Sequence, residues 1–119
     1  MIPNLDFIVL RVPDLKQARA FYTEKLGLSV EDELSDFVQF RRPGAPEGAT
    51  FALAENPGAM PHSGVTLWWR VDNADAAHDA FAARGIPIVR PLEDRPFGRI
   101  FAISDPAGNT IELYQLPQG

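Results

Sequence analysis

Apolar and polar residues along Phe7-Ile-Val-Leu-Arg-Val12 follow the pattern of a half-buried strand, and the run ends at Pro13-Asp14, a strand feeding a helix cap. Leu15, Ala18, Phe21, Tyr22 and Leu26 then recur at helical spacing, with Gln17 three residues after Asp14 as in a capping box and Gly27 as the stop. Segments rich in β-formers follow at about 28–33, 36–42 and 49–55. The same order then repeats. Thr66-Leu-Trp-Trp-Arg-Val71 reads as a strand, and Asn73 caps a helix whose smaller apolar face is Ala74, Ala77, Ala80, Phe81 and Ala83, ending at Gly85. Strands are expected again at about 86–90, 99–104 and 109–116. Each half therefore reads βαβββ.

The duplication is visible residue by residue. Phe7 to Thr66 is a step of 59 positions, and at that step Arg11-Val12 falls on Arg70-Val71, Asp14 on Asn73, Ala18 on Ala77 and Tyr22 on Phe81. Thr50-Phe-Ala-Leu53 falls on Thr110-Ile-Glu-Leu113 at a step of 60. One domain of two modules is expected, about 1–57 and 62–119, joined by the Pro- and Gly-containing Asn56-Pro-Gly-Ala-Met-Pro61. Asp105-Pro-Ala-Gly-Asn109 is a turn, since Pro fixes one φ while Gly and Asn tolerate positive φ.

With 119 residues, 45% of them hydrophobic and 23% charged, the composition is that of one soluble globular domain. Sixteen acidic against eleven basic side chains leave −5, so the basic surface needed by nucleic-acid binders is not expected, and anionic membranes are poor partners for the same reason. No apolar run approaches the roughly 20 residues that span a bilayer, and the first residues carry no basic-then-apolar leader pattern. A cytoplasmic protein is the expectation. Without cysteine there are no disulfides, thiolate metal sites or cysteine nucleophiles.

Val9-Leu-Arg-Val-Pro-Asp-Leu15 followed by Phe21-Tyr22 and Leu26-Gly-Leu28, then Phe97-Gly98 leading through Asp105-Pro-Ala-Gly-Asn-Thr-Ile-Glu-Leu113, resembles the vicinal oxygen chelate superfamily over nearly the whole chain. That superfamily includes glyoxalase-type lyases, extradiol dioxygenases, fosfomycin-modifying enzymes and bleomycin resistance proteins. The resemblance implies an α+β fold in which two βαβββ modules curl their mixed sheets into an incomplete barrel around a cavity, often completed across a homodimer. It also implies up to four inward metal-ligand positions, which fall here on Phe7, Ala52, Thr66 and Glu112. Only Glu112 is a ligand of the usual kind, because a phenyl ring and a methyl offer no lone pair and a neutral hydroxyl is a poor donor. No metal or other cofactor is therefore expected. Bleomycin resistance proteins likewise hold a ligand without a metal, so the expectation is a small-molecule binding protein, as a homodimer. A metal-dependent lyase or dioxygenase recruiting His62 beside Glu112, a metal-free enzyme with Glu112 as general base, and a domain that only associates with itself or another protein remain the rival readings.

If Ile111 and Leu113 face the helix, period-two alternation turns Thr110, Glu112 and Tyr114 to the other face. By the same argument Thr66, Trp68 and Arg70 share a face, as do Phe7, Val9 and Arg11. Arg70 or Arg11 is then a counter-ion for Glu112, whose role stays open between a structural ion pair, a ligand anchor and residual metal binding. Phe7, Val9, Val38 or Phe40, Trp68 and Tyr114 make an aromatic lining suited to a flat, mostly apolar or cationic ligand, with Thr66 on the same face as Trp68 and with Arg70 and Glu112 as the polar anchors, unless both tryptophans of Trp68-Trp69 are packing residues. His78 is expected on the solvent side of its helix. Glu93-Asp-Arg-Pro-Phe-Gly98 is either a lid or a solvated connection.

Overall fold

The computed structural model describes residues 5–42, 48–61 and 65–117. The chain forms two compact units, Met1–Met60 and Pro61–Gly119. The first runs β1 (Phe7–Val12), α1 (Leu15–Ala20), a wider π-helical turn (Phe21–Lys25), β2 (Val30–Leu34), β3 (Phe37–Phe40) and β4 (Thr50–Glu55). The second runs β5 (Leu67–Arg70), α2 (Ala74–Ala83), β6 (Ile88–Arg95), β7 (Gly98–Ser104) and β8 (Thr110–Gln115). Each unit holds one four-stranded mixed sheet, in the orders β1-β4-β3-β2 and β5-β8-β7-β6. The first strand lies parallel to the last and the other neighbours are antiparallel, so each sheet is open at both edges and neither closes into a barrel. The fold is α+β, and among the described residues no helix is long and apolar enough to cross a membrane.

The caps work as their sequences dictate, with one addition. Asp14 Oδ1 accepts from the Gln17 amide and Asn73 Oδ1 from the Ala76 amide, each at 3.0 Å. The last residue of each closing strand satisfies a further helix amide: Glu55 Oε2 accepts from Leu15 N at 3.0 Å, and Gln115 Oε1 from Ala74 N at 2.7 Å. The start of each helix is thereby tied to the C-terminal end of the closing strand of its own sheet. The chain leaves them through Gly27 at φ 80° and Gly85 at φ 76°, where a β-carbon would strain the backbone.

Between β7 and β8 the expected turn forms around buried Asp105. Its Oδ1 accepts from the Ala107 and Asn109 amides and its Oδ2 from the Asn109 side chain. Apolar packing lies between each helix and its sheet. In the first unit Tyr22, with no exposed surface, meets Phe40 and Phe51, whose rings stack at 5.7 Å. In the second, Phe101 meets Phe81 and the His78 ring.

Three expectations change here. His78 does not stand free on the solvent side: its ring packs edge-on to Phe101 at 5.4 Å, because α2 is so rich in alanine that the imidazole supplies needed bulk. Phe40 and Val38 face α1 rather than the opposite side, since Val38 pairs with Leu53 in the helix-side row of the sheet. The Glu93–Gly98 segment is no lid, because Glu93 to Arg95 continue β6 and only Pro96-Phe97 turn. Pro91 is tolerated inside β6 because that strand is a sheet edge, where irregular register between Ile88 and Glu93 absorbs it.

Candidate functional site

In the second unit the sheet face turned away from α2 carries one cross-strand row. Trp68 of β5 is paired in register with Glu112 of β8, Glu112 with Ala102 of β7, and Ala102 with Arg90 of β6. Cross-strand partners project to the same side, so these four side chains form a line over the sheet. Ala102 decides what happens along it. A methyl group at that position leaves room for the long Arg90 side chain to lie across β7 and reach the carboxylate two strands away.

The contact is bidentate. Arg90 Nη1 donates to Glu112 Oε1 and Nη2 to Oε2, both at 2.6 Å, so both carboxylate oxygens are held by one planar fork. The expected partner, Arg70, is replaced by Arg90, and Arg11 belongs to the other unit. Arg70 stands exposed at the end of β5, beside Val71, Asp72, Gln115 and Leu116 around a shallow cavity of about 270 Å³. Burial is uneven across the pair: the Glu112 side chain is 4% exposed and the Arg90 side chain 40%. The carboxylate is thus the deep member and the guanidinium the outward one.

Aromatic rings stand beside this pair on the same face. Trp68, 46% exposed, meets Tyr114 edge-on at 5.7 Å and Phe97 edge-on at 5.9 Å. Tyr114 follows Glu112 by two positions on β8, which places it on that face; Phe97 arrives from the tight turn between β6 and β7. Gly98 makes that arrival possible. Its φ is 147°, and a β-carbon there would lie 2.2 Å from the Gln115 carbonyl oxygen, so only glycine lets the turn press against the end of β8. Gly98 carried no chemistry in the sequence; its place directly after the lone aromatic of the turn was the available clue.

Phe7 and Val9 lie on the away face of the first sheet, both partly exposed, with Phe7 stacked on Phe37 at 6.4 Å. Phe40 belongs to the helix-side core and leaves the candidate set. Thr66 is exposed just before β5. Ala52, which the internal repeat aligns with Glu112, is fully buried between Val9 and Gln39. Trp69 and Trp68 take opposite faces, Trp69 pairing with Leu113 in the helix-side row. His62 lies outside the described residues. Among the described residues no group of three or more His, Cys, Asp or Glu side chains is placed to hold a metal ion.

Residues 4–113 match the family model described as Glyoxalase/Bleomycin resistance protein/Dioxygenase superfamily. The whole chain aligns, at 32% identity over 133 residues, with 94% of an uncharacterised protein of Pseudomonas aeruginosa. Among solved structures it is similar to TnmS3, an antibiotic binding protein from Streptomyces sp. CB03234, with a TM-score of 0.77, 26% identity and coverage of 98% of both chains. It is also similar to the bleomycin-binding protein of Streptomyces verticillus, solved with copper(II)-bleomycin, with a TM-score of 0.72 over 98% of this chain and 100% of that one. Identity to the latter is 24%, and the likeness is one of fold.

Proposed function

The chain belongs to the Glyoxalase/Bleomycin resistance protein/Dioxygenase superfamily, and from that premise we propose that it is a metal-free small-molecule binding protein, holding an organic ligand against the Trp68 face. One observation carries the reading. The single carboxylate left at the positions the superfamily uses for metal ligands has both oxygens occupied by Arg90. A divalent ion there would need Glu112 to exchange a 2.6 Å bidentate partner for the ion, and would set the ion's charge beside a guanidinium. Phe7 and Ala52 offer no electron pair to compensate. The donor set does not fit a metal centre.

What remains on that face favours binding. Trp68 and Phe97 are each close to half exposed and lie in contact, so they form one adjoining apolar surface rather than scattered single residues. Edge-on packing between Trp68 and its neighbours leaves ring surface for a ligand to cover. The antibiotic binding relative from Streptomyces supports the same class of function, and a cytoplasmic homodimer is part of the proposal. A ligand that binds only the folded protein raises its apparent stability, so a thermal-shift panel of aromatic natural products, metabolites and divalent metals tests the reading. The expected result is a concentration-dependent rise for an organic compound that Trp68→Ala abolishes. A rise given only by a metal ion, and lost in Glu112→Ala, would overturn it.

A further inference from the structure

Resting on that binding role, we infer that the preferred ligand is an aromatic carboxylate, with Arg90 as its anion anchor, rather than a cation. A guanidinium has five N–H donors, and Glu112 uses two of them. Three remain, on a side chain that is 40% exposed while its carboxylate partner is 4% exposed. An incoming molecule therefore meets the donor edge of Arg90, not the negative charge of Glu112. The carboxylate fixes the fork in one orientation, so little side-chain freedom is lost when a second acceptor arrives.

A second cation stands on the same face: Arg70 is paired in register with Tyr114 and shares the side of Trp68. Glu93, which lies near the far edge of this face, is already paired with Arg95 at 2.8 Å. With Glu112 buried beneath Arg90 and Glu93 paired, the charged groups presented beside Trp68 and Tyr114 are the guanidiniums of Arg90 and Arg70, the latter with Asp72 around the same shallow cavity, although the chain as a whole carries −5. Distance decides between the two. Charges beyond the Debye length of about 8 Å at physiological salt are largely screened, whereas a guanidinium in contact is not. Trp68 and Tyr114 supply the aromatic surface beside these donors, so ring and carboxylate are recognised by adjacent groups of one sheet face.

The test uses 2-naphthoate and 2-naphthylmethylammonium, probes with the same ring and opposite charge, each titrated into ¹⁵N-labelled full-length protein. The Trp68 indole N–H and the Arg90 Nε–H report the site. Naphthoate is expected to move both signals and to bind about tenfold more tightly than the ammonium. Arg90→Lys, which keeps a cation beside Glu112 but not the fork, is expected to weaken naphthoate several-fold and leave the ammonium unchanged. Arg70→Gln, a change at an exposed side chain, gives a smaller loss in the same direction and serves if the Arg90 variant is unfolded. Ammonium binding at Trp68 as tight as naphthoate, or naphthoate binding indifferent to both substitutions, overturns the inference and leaves the binding role standing. Trp68 unmoved by either probe overturns both.

Discussion

Glu112 is nearly sealed from solvent, and a carboxylate in that position is tolerated only because one guanidinium meets both of its oxygens. Removing the cation alone should therefore cost more than removing the pair. Arg90→Met is expected to destabilise the protein by about 2–4 kcal/mol in urea denaturation, while the double variant Arg90→Met/Glu112→Leu should recover most of that loss. If the single and double variants are equally unstable, the two side chains are not energetically coupled. A substitution at Gly98 is governed by backbone geometry instead. Gly98→Ala places a methyl against the Gln115 carbonyl at a positive φ, so a loss on the order of 2–4 kcal/mol is expected, with loss of the Phe97–Trp68 contact visible in the tryptophan signals. Arg99 shows the opposite, surface case. Its hydrogen bonds to the accepting carboxylates of Asp75 and then Asp94 hold its pKa above the usual value, yet the group is partly exposed and mainly fastens the start of α2 to the neighbouring strands.

At the scale of elements, the two βαβββ units were legible because their signals are local: a cap, a 3.6-residue period, a glycine stop and short runs of β-formers. The site was legible only in part. Alternation correctly placed Trp68, Glu112 and Tyr114 on one face, but it says nothing about which cation lies across the sheet. That depends on the register of three strands and on irregular pairing in β6, which sets where Arg90 emerges. The readable clue was Ala102, a small residue between two charged ones. Phe40 was misplaced because Phe37-Val-Gln-Phe40 is apolar on both parities, and only pairing with β4 decides which face is which. Strand-to-helix ties by Glu55 and Gln115 were equally invisible, since their partners lie 40 and 41 residues away. Gln115→Ala should leave an amide at the start of α2 unsatisfied and cost about 1 kcal/mol, read as a lower urea midpoint with an unchanged slope. An unaltered midpoint would show that water replaces the side chain fully.

For the whole molecule, the duplicated unit is asymmetric in chemistry. The row Trp68-Glu112-Ala102-Arg90 of the second sheet corresponds in the first to Val9-Ala52-Gln39-Asp32, so the charged pair exists once per chain. Ligand stoichiometry should accordingly be one per chain. The proposed homodimer predicts a light-scattering mass about twice 13.1 kDa, and a mass equal to one chain would remove it. The measurement that bears most directly on the account is calorimetric titration of the protein with Mn²⁺, Ni²⁺, Zn²⁺ and Fe²⁺, alongside Glu112→Ala. With Arg90 holding the carboxylate, no stoichiometric uptake that depends on Glu112 is expected. Tight one-to-one binding of any of these ions, lost when Glu112 is replaced, would contradict it.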